Sequence, residues 1–230
     1  MIREGENALL LGIDTCGASG SVALARVKER RLVLLGEATV AGRECAAEIV
    51  PAVAKLMENA ACAMEMLSGV VVVSGPGSFT GIRVGVATAK GLVAARALPL
   101  IAVSRLAVLE GVSGTGCAAL DAWRGQMFVG MQTADGWRER LVTAGEFSST
   151  GDSLQMPEPV AVCEESVAQL LETVAEEVRI VRVVAPGAAQ ALEYALDRWL
   201  EGRFDDASAL DGHYLRGSDV WSAVGMRDVE

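Results

Sequence analysis

Residues 74–91, with the sequence SGPGSFTGIRVGVATAKG, form the pattern with the clearest chemical meaning. They follow an apolar run at 70–73, which predicts a buried strand, and they lead into a predicted helix at 78–97. The Gly-Pro-Gly sequence at 75–77 predicts a tight turn between the two. Free backbone N–H groups and the helix dipole make such a turn a common site for phosphate. Phosphate binding is therefore the first chemistry to consider.

Small residues recur along the predicted helix. Gly81, Gly85 and Ala89 follow one another at four-residue spacing, so they lie on one face of the helix. Glycine inside a helix costs about 1 kcal/mol relative to alanine, and its repeated use indicates close packing. Two interpretations are open: the face packs on the sheet of its own domain, or it packs on a helix of another chain.

Asp14 and Thr15 come at the end of an apolar run at 9–14 that predicts the first strand. One interpretation is a remnant of a nucleotide-binding loop. The other is an aspartate that caps the turn at 16–20. Residues 17–20 contain no Lys or Arg to meet the charge of a phosphate. That absence favours the capped turn.

Two further groups of residues have ordinary structural interpretations. The Pro-Gly-Ala sequence at 186–188 follows a predicted strand, where it either faces an adenosine or forms a strand-to-helix turn. Asp121, Arg124 and Gln126 surround a predicted hairpin. An ion pair across that hairpin is the simpler alternative to a catalytic role.

Composition limits the function classes further. The chain has 230 residues and a formal net charge of −10, whereas binding to nucleic acid needs clustered Lys and Arg to neutralise phosphates, so we expect no direct binding to nucleic acid. Its one histidine, His213, argues against a His-based metal site or a catalytic triad. The five scattered cysteines predict reduced thiols and a cytoplasmic protein. No apolar run is long enough for a membrane span, and the polar first residues argue against a signal peptide.

The first part of the chain predicts the order βββαβαβ. The predicted strands are 9–14, 22–27, 31–40, 70–73 and 98–103, and the predicted helices are 42–61 and 78–97. Tight turns between the first three strands indicate an antiparallel meander. A stripe of apolar residues on the first helix includes Ile49, Val53 and Met57.

The second part repeats this outline, with strands followed by helix, strand and helix. The predicted strands are 117–121, 126–132, 137–143 and 180–185, and the predicted helices are 164–177 and 186–200. A polar segment at 148–158 and another at 202–211 are predicted as loops. No residue-level repeat relates the two parts, so the duplication is architectural.

These features together resemble one family. The βββαβαβ order, Asp14-Thr15, the GPGSFTGIRVG sequence at 75–85 and the Ala-Lys-Gly at 89–91 are similar to TsaB (YeaZ). TsaB is the dimerisation subunit of the bacterial machinery that makes threonylcarbamoyladenosine in tRNA. The resemblance extends over nearly the whole chain, and the His-Tyr-Leu-Arg at 213–216 is similar to the Tyr-Leu-Arg tail of the family.

The resemblance implies an α/β, actin-like (ASKHA, RNase H-like) fold of two βββαβα-type subdomains. We expect an N-terminal subdomain at 1–103 with the dimerisation helices and a C-terminal subdomain at 104–202. A tail at 203–230 is expected to pack back on the first subdomain. No cofactor, metal or catalytic residue is expected.

The catalytic relative TsaD provides a specific contrast. In TsaD the corresponding segment reads His-Leu-Glu-Gly-His and binds the metal. At the same offset after the Ala-Lys-Gly sequence, this chain reads Arg-Leu-Ala-Val-Leu at 105–109. Arg105 and Leu109 therefore replace both histidines, and arginine donates hydrogen bonds but cannot ligate a metal. The comparison argues against a metal-dependent enzyme.

The resemblance thus implies a non-catalytic scaffold that activates TsaD for threonylcarbamoyl transfer to the adenosine next to the tRNA anticodon. The expected partners are TsaD, a TsaE-type ATPase through the complex, and a second copy of the chain when it is alone. The interface is predicted from the two helices of the first subdomain: Ile49, Val53, Met57, Gly81, Ile82, Gly85, Val86 and Ala89. Relatives often have His where Cys45 stands. The alternatives are an ATP-dependent phosphotransferase of the actin-like superfamily and, more remotely, a metallopeptidase.

Overall fold

The computed structural model describes residues 7–143, 146, 159–174, 178–215 and 222–223. The chain divides into two compact units. The first unit comprises Met1–Arg105 and Pro186–His213, and the second comprises Leu106–Ala185 and Tyr214–Glu230. None of the described helices combines the length and the hydropathy that crossing a membrane requires.

A five-stranded mixed sheet forms the centre of the first unit. Its strands are β1 (Leu9–Asp14), β2 (Ser19–Lys28), β3 (Arg31–Ala41), β4 (Leu67–Gly75) and β5 (Leu100–Ser104). They are arranged in the order β3-β2-β1-β4-β5. The pairs β1–β2 and β2–β3 are antiparallel, whereas β1–β4 and β4–β5 are parallel. The predicted meander and the strands that follow it are therefore present.

The α-helices with defined bounds are α1 (Cys45–Asn59), α2 (Phe79–Arg96), α3 (Arg105–Ser113), α4 (Glu165–Val174) and α5 (Ala188–Leu200). Short 3₁₀ turns at Gly42–Glu44 and Met64–Met66 precede α1 and β4.

Helices cover both faces of the first sheet. On one face, α1 and α2 share a hydrophobic cluster with the odd-numbered residues of β1, among them Leu11. On the other face lies α5, because a Cβ atom at position 12 would contact Leu192, and one at position 69 would contact Trp199. Glycine at those two positions leaves room for the helix. Consecutive residues of β1 thus face different helices, as expected for a strand that is buried on both sides.

A six-stranded sheet forms the centre of the second unit. Its strands are β6 (Cys117–Asp121), β7 (Gln126–Thr133), β8 (Gly136–Thr143), β9 (Val160–Val162), β10 (Ile180–Arg182) and β11 (Ser222–Ala223), in the order β10-β9-β6-β7-β8-β11. Apolar residues of α4, including Val167 and Leu171, pack in one cluster with β6, β7 and β9. Leu106 and Leu109 of α3 belong to a second cluster with Leu120.

The predicted α/β fold class is confirmed, with several differences in detail. The sequence assigned 104–202 to one subdomain, whereas α5 belongs to the first unit because it packs over Gly12 and Gly69. The elements α3, β9 and β11 were not predicted, and β10 ends at Arg182, earlier than expected. The predicted loop at 148–158 lies outside the described residues.

Candidate functional site

The Gly-Pro-Gly turn at 75–77 lies beside the loop at 14–17, which follows β1. Both segments extend from the carboxyl ends of β1 and β4, which are parallel neighbours. The backbone N–H of Ser78 donates to the carbonyl oxygen of Cys16 at 2.9 Å. The Cys16 thiol donates to the carbonyl oxygen of Val73 at 3.2 Å. A Cβ atom at position 77 would collide with the backbone of Cys16, so glycine is needed for this close approach.

The other side of the turn is covered by His213. Its N–H donates to the carbonyl oxygen of Ser74 at 2.7 Å. A Cβ atom at position 75 would lie 2.6 Å from the His213 carbonyl oxygen, and Gly75 has a φ of +124°. The turn is therefore packed between two segments of its own unit, one around Cys16 and one around His213. A turn that binds phosphate would instead present its N–H groups to the ligand.

Helix α2 begins directly on the loop at 14–17. The Ser78 hydroxyl caps the helix by accepting from the N–H of Gly81 at 3.2 Å. The Thr15 hydroxyl donates to the carbonyl oxygen of Gly81 at 2.6 Å. Cβ atoms at positions 81 and 85 would collide with the carbonyl and hydroxyl oxygens of Thr15. The small residues of α2 are thus explained by packing inside the unit, the first of the two interpretations.

Asp14 and Arg105 are two buried, oppositely charged residues beside this loop, each only 4% exposed. The Asp14 carboxylate accepts from the N–H of Cys16 at 2.8 Å. Burial raises the pKa of Asp14, and the nearby Arg105 guanidinium partly opposes that shift. A Cβ atom at position 17 would lie 3.1 Å from Arg105 Nη2. The inference from residues 17–20 that no cation lies near Asp14 is therefore wrong. Arg105, which follows β5, lies beside this loop.

The two positions that correspond to the metal-binding histidines of TsaD lie in packed surroundings. Leu109 is fully buried among apolar residues of the second unit that include Leu106 and Leu120. Arg105 is buried in the first unit. In the part of the chain that the structure describes, no group of three or more His, Cys, Asp or Glu side chains is arranged to hold a metal ion.

The eight residues predicted as the interface are all buried within their own chain. They are Ile49, Val53, Met57, Gly81, Ile82, Gly85, Val86 and Ala89. The apolar stripes of α1 and α2 face the sheet and share one cluster with it. These side chains therefore have little surface left for contact with another chain. The physical reason is that amphipathic periodicity identifies the buried face of a helix but not the element that buries it.

The opposite faces of α1 and α2 are exposed, and on both helices they include small residues; on α1 these lie among the charged residues Glu48, Lys55 and Glu58. We call them the outer strips and define them by these exposed residues: Ala47, Val50 and Ala54 on α1, and Thr80, Ala87, Gly91 and Ala94 on α2. Val50 is 58% exposed. A Cβ atom at position 91 would have no neighbour within 4 Å. Next to the outer strip, Phe79 is 55% exposed, and the Arg83 guanidinium lies 3.8 Å from the centre of its ring.

The turn at 186–188 forms the start of α5, and its backbone N–H groups already have partners. The N–H of Ala188 donates to the Ser21 hydroxyl at 2.9 Å, and the N–H of Gly187 donates to the Gln190 side chain at 2.9 Å. These contacts satisfy donors at the start of α5 that would otherwise be open to a ligand. The strand-to-helix turn is therefore the better interpretation of this segment.

Asp121 and Cys45 have structural partners. The Asp121 carboxylate accepts from the N–H of Trp123 at 2.6 Å and from the Ser166 hydroxyl at 2.9 Å, so it braces the hairpin through these groups. The Cys45 thiol is buried, and burial raises its pKa. A thiol with a raised pKa is a poor nucleophile at neutral pH.

Solved structures with the same fold identify the class of protein. An uncharacterized Pseudomonas aeruginosa protein, described as similar to the peptidase YeaZ, superposes with a TM-score of 0.71 at 25% identity, covering 91% of this chain and 100% of that chain. YeaZ from Pseudomonas aeruginosa superposes with a TM-score of 0.69 at 24% identity, over 90% of this chain and 100% of that chain. The fold is therefore the actin-like α/β fold of the YeaZ proteins.

Sequence comparison defines the family. Residues 39–195 match the TsaD family, described as tRNA N6-adenosine threonylcarbamoyltransferase. One relative is a Bacillus subtilis protein named tRNA threonylcarbamoyladenosine biosynthesis protein TsaB. It is 34% identical over 58% of this chain, and the match covers 59% of its own length, which is less than two thirds of that relative. The TsaB protein of Haemophilus influenzae is 25% identical over 97% of this chain and 100% of its own length. The chain belongs to the TsaD family and, within it, to the TsaB (YeaZ) proteins.

Proposed function

We propose that this chain is a non-catalytic, cytoplasmic subunit of the machinery that makes threonylcarbamoyladenosine in tRNA, and that it binds and activates TsaD. Its relatives named TsaB are described as proteins of that biosynthesis. Its family also contains the transferase itself. A member that lacks the transferase's chemistry but keeps its fold is suited to pairing with it.

The observation that carries this proposal is the packed state of the turn at 75–77. Cys16 accepts the N–H of Ser78, and the backbone of His213 lies against Gly75. A phosphate bound at this turn would need those positions and the N–H of Ser78. Arg105 and Leu109, which replace the metal-binding histidines of TsaD, are buried as well. Support for a catalytic role is therefore lacking at both places where the family resemblance would put it.

The outer strips are the surface that we assign to TsaD. They lie on neighbouring helices, because α1 and α2 contact each other and pack on the same face of the sheet. Alanine and glycine side chains leave room for a partner helix to approach at the short end of the usual interaxial range, about 8–10 Å. TsaD, as a relative with the same fold, would offer the equivalent helices. In the absence of TsaD, the same strips would pair two copies of this chain.

The remaining partners follow from charge and assembly. A net charge of −10 leaves this chain poorly suited to contact tRNA, so TsaD would hold the RNA. A TsaE-type ATPase would join through the complex. The chain would activate TsaD by binding its competent conformation more tightly than its other conformations, which is the way a partner shifts such an equilibrium.

Variants at Gly91 test this assignment. Gly91→Leu places a large side chain in open solvent, so the fold should be kept while a partner helix is pushed away. Gly91→Ala is the matched control, and Glu193→Leu adds the same side chain at an exposed position of α5, on the other face of the sheet. Calorimetry with the cognate TsaD should show binding about tenfold or more weaker for Gly91→Leu alone.

The opposite result would remove the basis of the proposal. If Gly91→Leu binds TsaD as tightly as Gly91→Ala does, the outer strips are not the contact surface. If the wild-type chain does not bind TsaD but binds and hydrolyses ATP, the phosphotransferase alternative is the better account.

A further inference from the structure

Asp14 and Arg105 are two buried residues of opposite charge beside the loop at 14–17, outside the outer strips and outside the turn at 75–77. Both residues are 4% exposed. Arg105 Nη2 lies 3.1 Å from the position that a Cβ atom on Gly17 would take, so the guanidinium packs directly against the loop at 14–17. Burying charged groups is costly even when they are paired. Two buried charges of opposite sign beside one loop therefore call for a role.

The loop at 14–17 supports the start of α2 through three contacts. Cys16 accepts from the N–H of Ser78 at 2.9 Å, at the N-cap of the helix. Thr15 donates to the carbonyl oxygen of Gly81 at 2.6 Å. Thr15 also packs against Gly85 so closely that no side chain fits there. A displacement of this loop would therefore displace the first two turns of α2.

Those two turns present part of the surface that we assign to TsaD. Thr80 belongs to the outer strip of α2, and Phe79 with Arg83 forms a cation–π pair at the beginning of the helix. Aromatic residues and arginine often contribute strongly to binding at interfaces, and here the two are held together. The position of the loop thus determines where these side chains are presented.

We infer that Asp14 and Arg105 are positioning residues: Asp14 through its bond to the N–H of Cys16, and Arg105 through its packing against Gly17, hold the loop at 14–17, and through it the start of α2, in the conformation that binds TsaD. The inference rests on the proposed function for its link to TsaD. The competing explanation is that the pair contributes to overall stability and has no particular effect on α2.

Hydrogen exchange of the chain alone tests the first half of this inference. In Arg105→Met, peptides covering residues 78–86 should exchange about tenfold or more faster than in the wild type, while peptides from α1 keep their rates. Arg105→Lys retains the charge and should restore most of the protection. Arg96→Met is the matched control, because Arg96 lies at the other end of α2, where it pairs with the exposed Glu65. It should leave residues 78–86 unchanged.

Calorimetry with the cognate TsaD tests the second half. Arg105→Met should bind about tenfold or more weakly, and Arg96→Met should bind like the wild type. Equal acceleration of exchange in α1 and α2, or no acceleration at residues 78–86, would overturn the positioning role. Faster local exchange with unchanged affinity would overturn the link to binding.

The two proposals fail separately. If the wild-type chain does not bind TsaD, the proposed function fails, and the exchange data on the isolated chain still decide whether the pair positions α2. If Arg105→Met does not fold, Asp14→Asn is judged by the same exchange criterion, because it removes the other charge while the asparagine oxygen can still accept from the N–H of Cys16. Exchange at residues 78–86 that matches the wild type in a folded Asp14→Asn would then overturn the inference.

Discussion

The Thr15 hydroxyl donates a hydrogen bond of 2.6 Å to the carbonyl oxygen of Gly81, and the backbone of Thr15 leaves no room for a side chain at position 81. The loop at 14–17 therefore occupies the side of α2 that contains the repeated small residues. The side that remains available to another chain is the opposite one, where Gly91 has open space. Gly81 and Gly85 are therefore needed for packing inside the chain, whereas Gly91 is available for contact with another chain.

Alanine substitutions at two glycines of α2 should have opposite effects on the free energy of unfolding. Gly81→Ala forces a methyl group onto Thr15 and should lower it by about 1–3 kcal/mol. Gly91→Ala meets no neighbour and gains helix propensity, so it should raise it by about 0.5–1 kcal/mol. Urea unfolding of the isolated chain measures both. Similar effects at the two positions would contradict the packing of Thr15 on α2.

Removing the Arg105 charge should change how stability depends on pH. Burial raises the pKa of Asp14 above its ordinary value of 3.8, and Arg105 opposes that rise. A group whose pKa is raised by folding contributes stability below its unfolded pKa and loses it as the pH rises through the folded value. In Arg105→Met the pKa of Asp14 should rise further. Its melting temperature should therefore fall more steeply than that of the wild type as the pH rises from about 4, the ordinary range of an aspartate.

The double variant provides the control for this prediction. In Asp14→Asn with Arg105→Met, the titrating carboxyl group is gone, and the asparagine oxygen can still accept from the N–H of Cys16. The additional pH dependence should disappear. Parallel melting profiles for Arg105→Met and the double variant would show that the two charges do not interact.

The isolated chain should bind ATP poorly. The N–H of Ser78 already donates to Cys16, and the backbone of His213 lies against Gly75, so a phosphate at the turn would have to displace these contacts. Calorimetry with magnesium and ATP should show no binding with micromolar affinity, and a phosphate-release assay should show no hydrolysis. Micromolar binding with turnover would favour the phosphotransferase alternative.

The purified chain should contain no stoichiometric metal. The positions of the TsaD histidines are occupied by Arg105 and Leu109, both buried, and neither can ligate zinc or iron. Elemental analysis after purification without chelators is the measurement. About one zinc or iron per chain would contradict the prediction.

Local patterns predicted most of the first unit. The strand Leu9–Asp14 was predicted with the bounds that it has, because it is an apolar run between polar or turn-forming residues. Helix α3 was missed because residues 106–109 are all buried, so the segment is apolar on every side and shows no helical period. The strands β9 and β11 span only Val160–Val162 and Ser222–Ala223, too short to give a pattern.

The candidate site was predicted less well, for two physical reasons. Periodicity identified the buried faces of α1 and α2 through residues such as Val53 and Gly85, but it could not say that their own sheet buries them. Asp14 and Arg105 are far apart in the sequence, and no local pattern indicates that the fold places both beside the loop at 14–17. A lone arginine at the end of a buried strand was the only signal that could have suggested it.

Reconstituted tRNA modification tests the central claim most directly. Cognate TsaD, its ATPase partner, threonylcarbamoyl-adenylate and tRNA should form threonylcarbamoyladenosine only when this chain is added. The yield should fall about tenfold or more with Gly91→Leu. It should be retained with Gly91→Ala, Asp121→Ala and Cys45→Ala. Modification that proceeds without the chain, or that is lost in Asp121→Ala or Cys45→Ala while the complex still assembles, would contradict a non-catalytic scaffold.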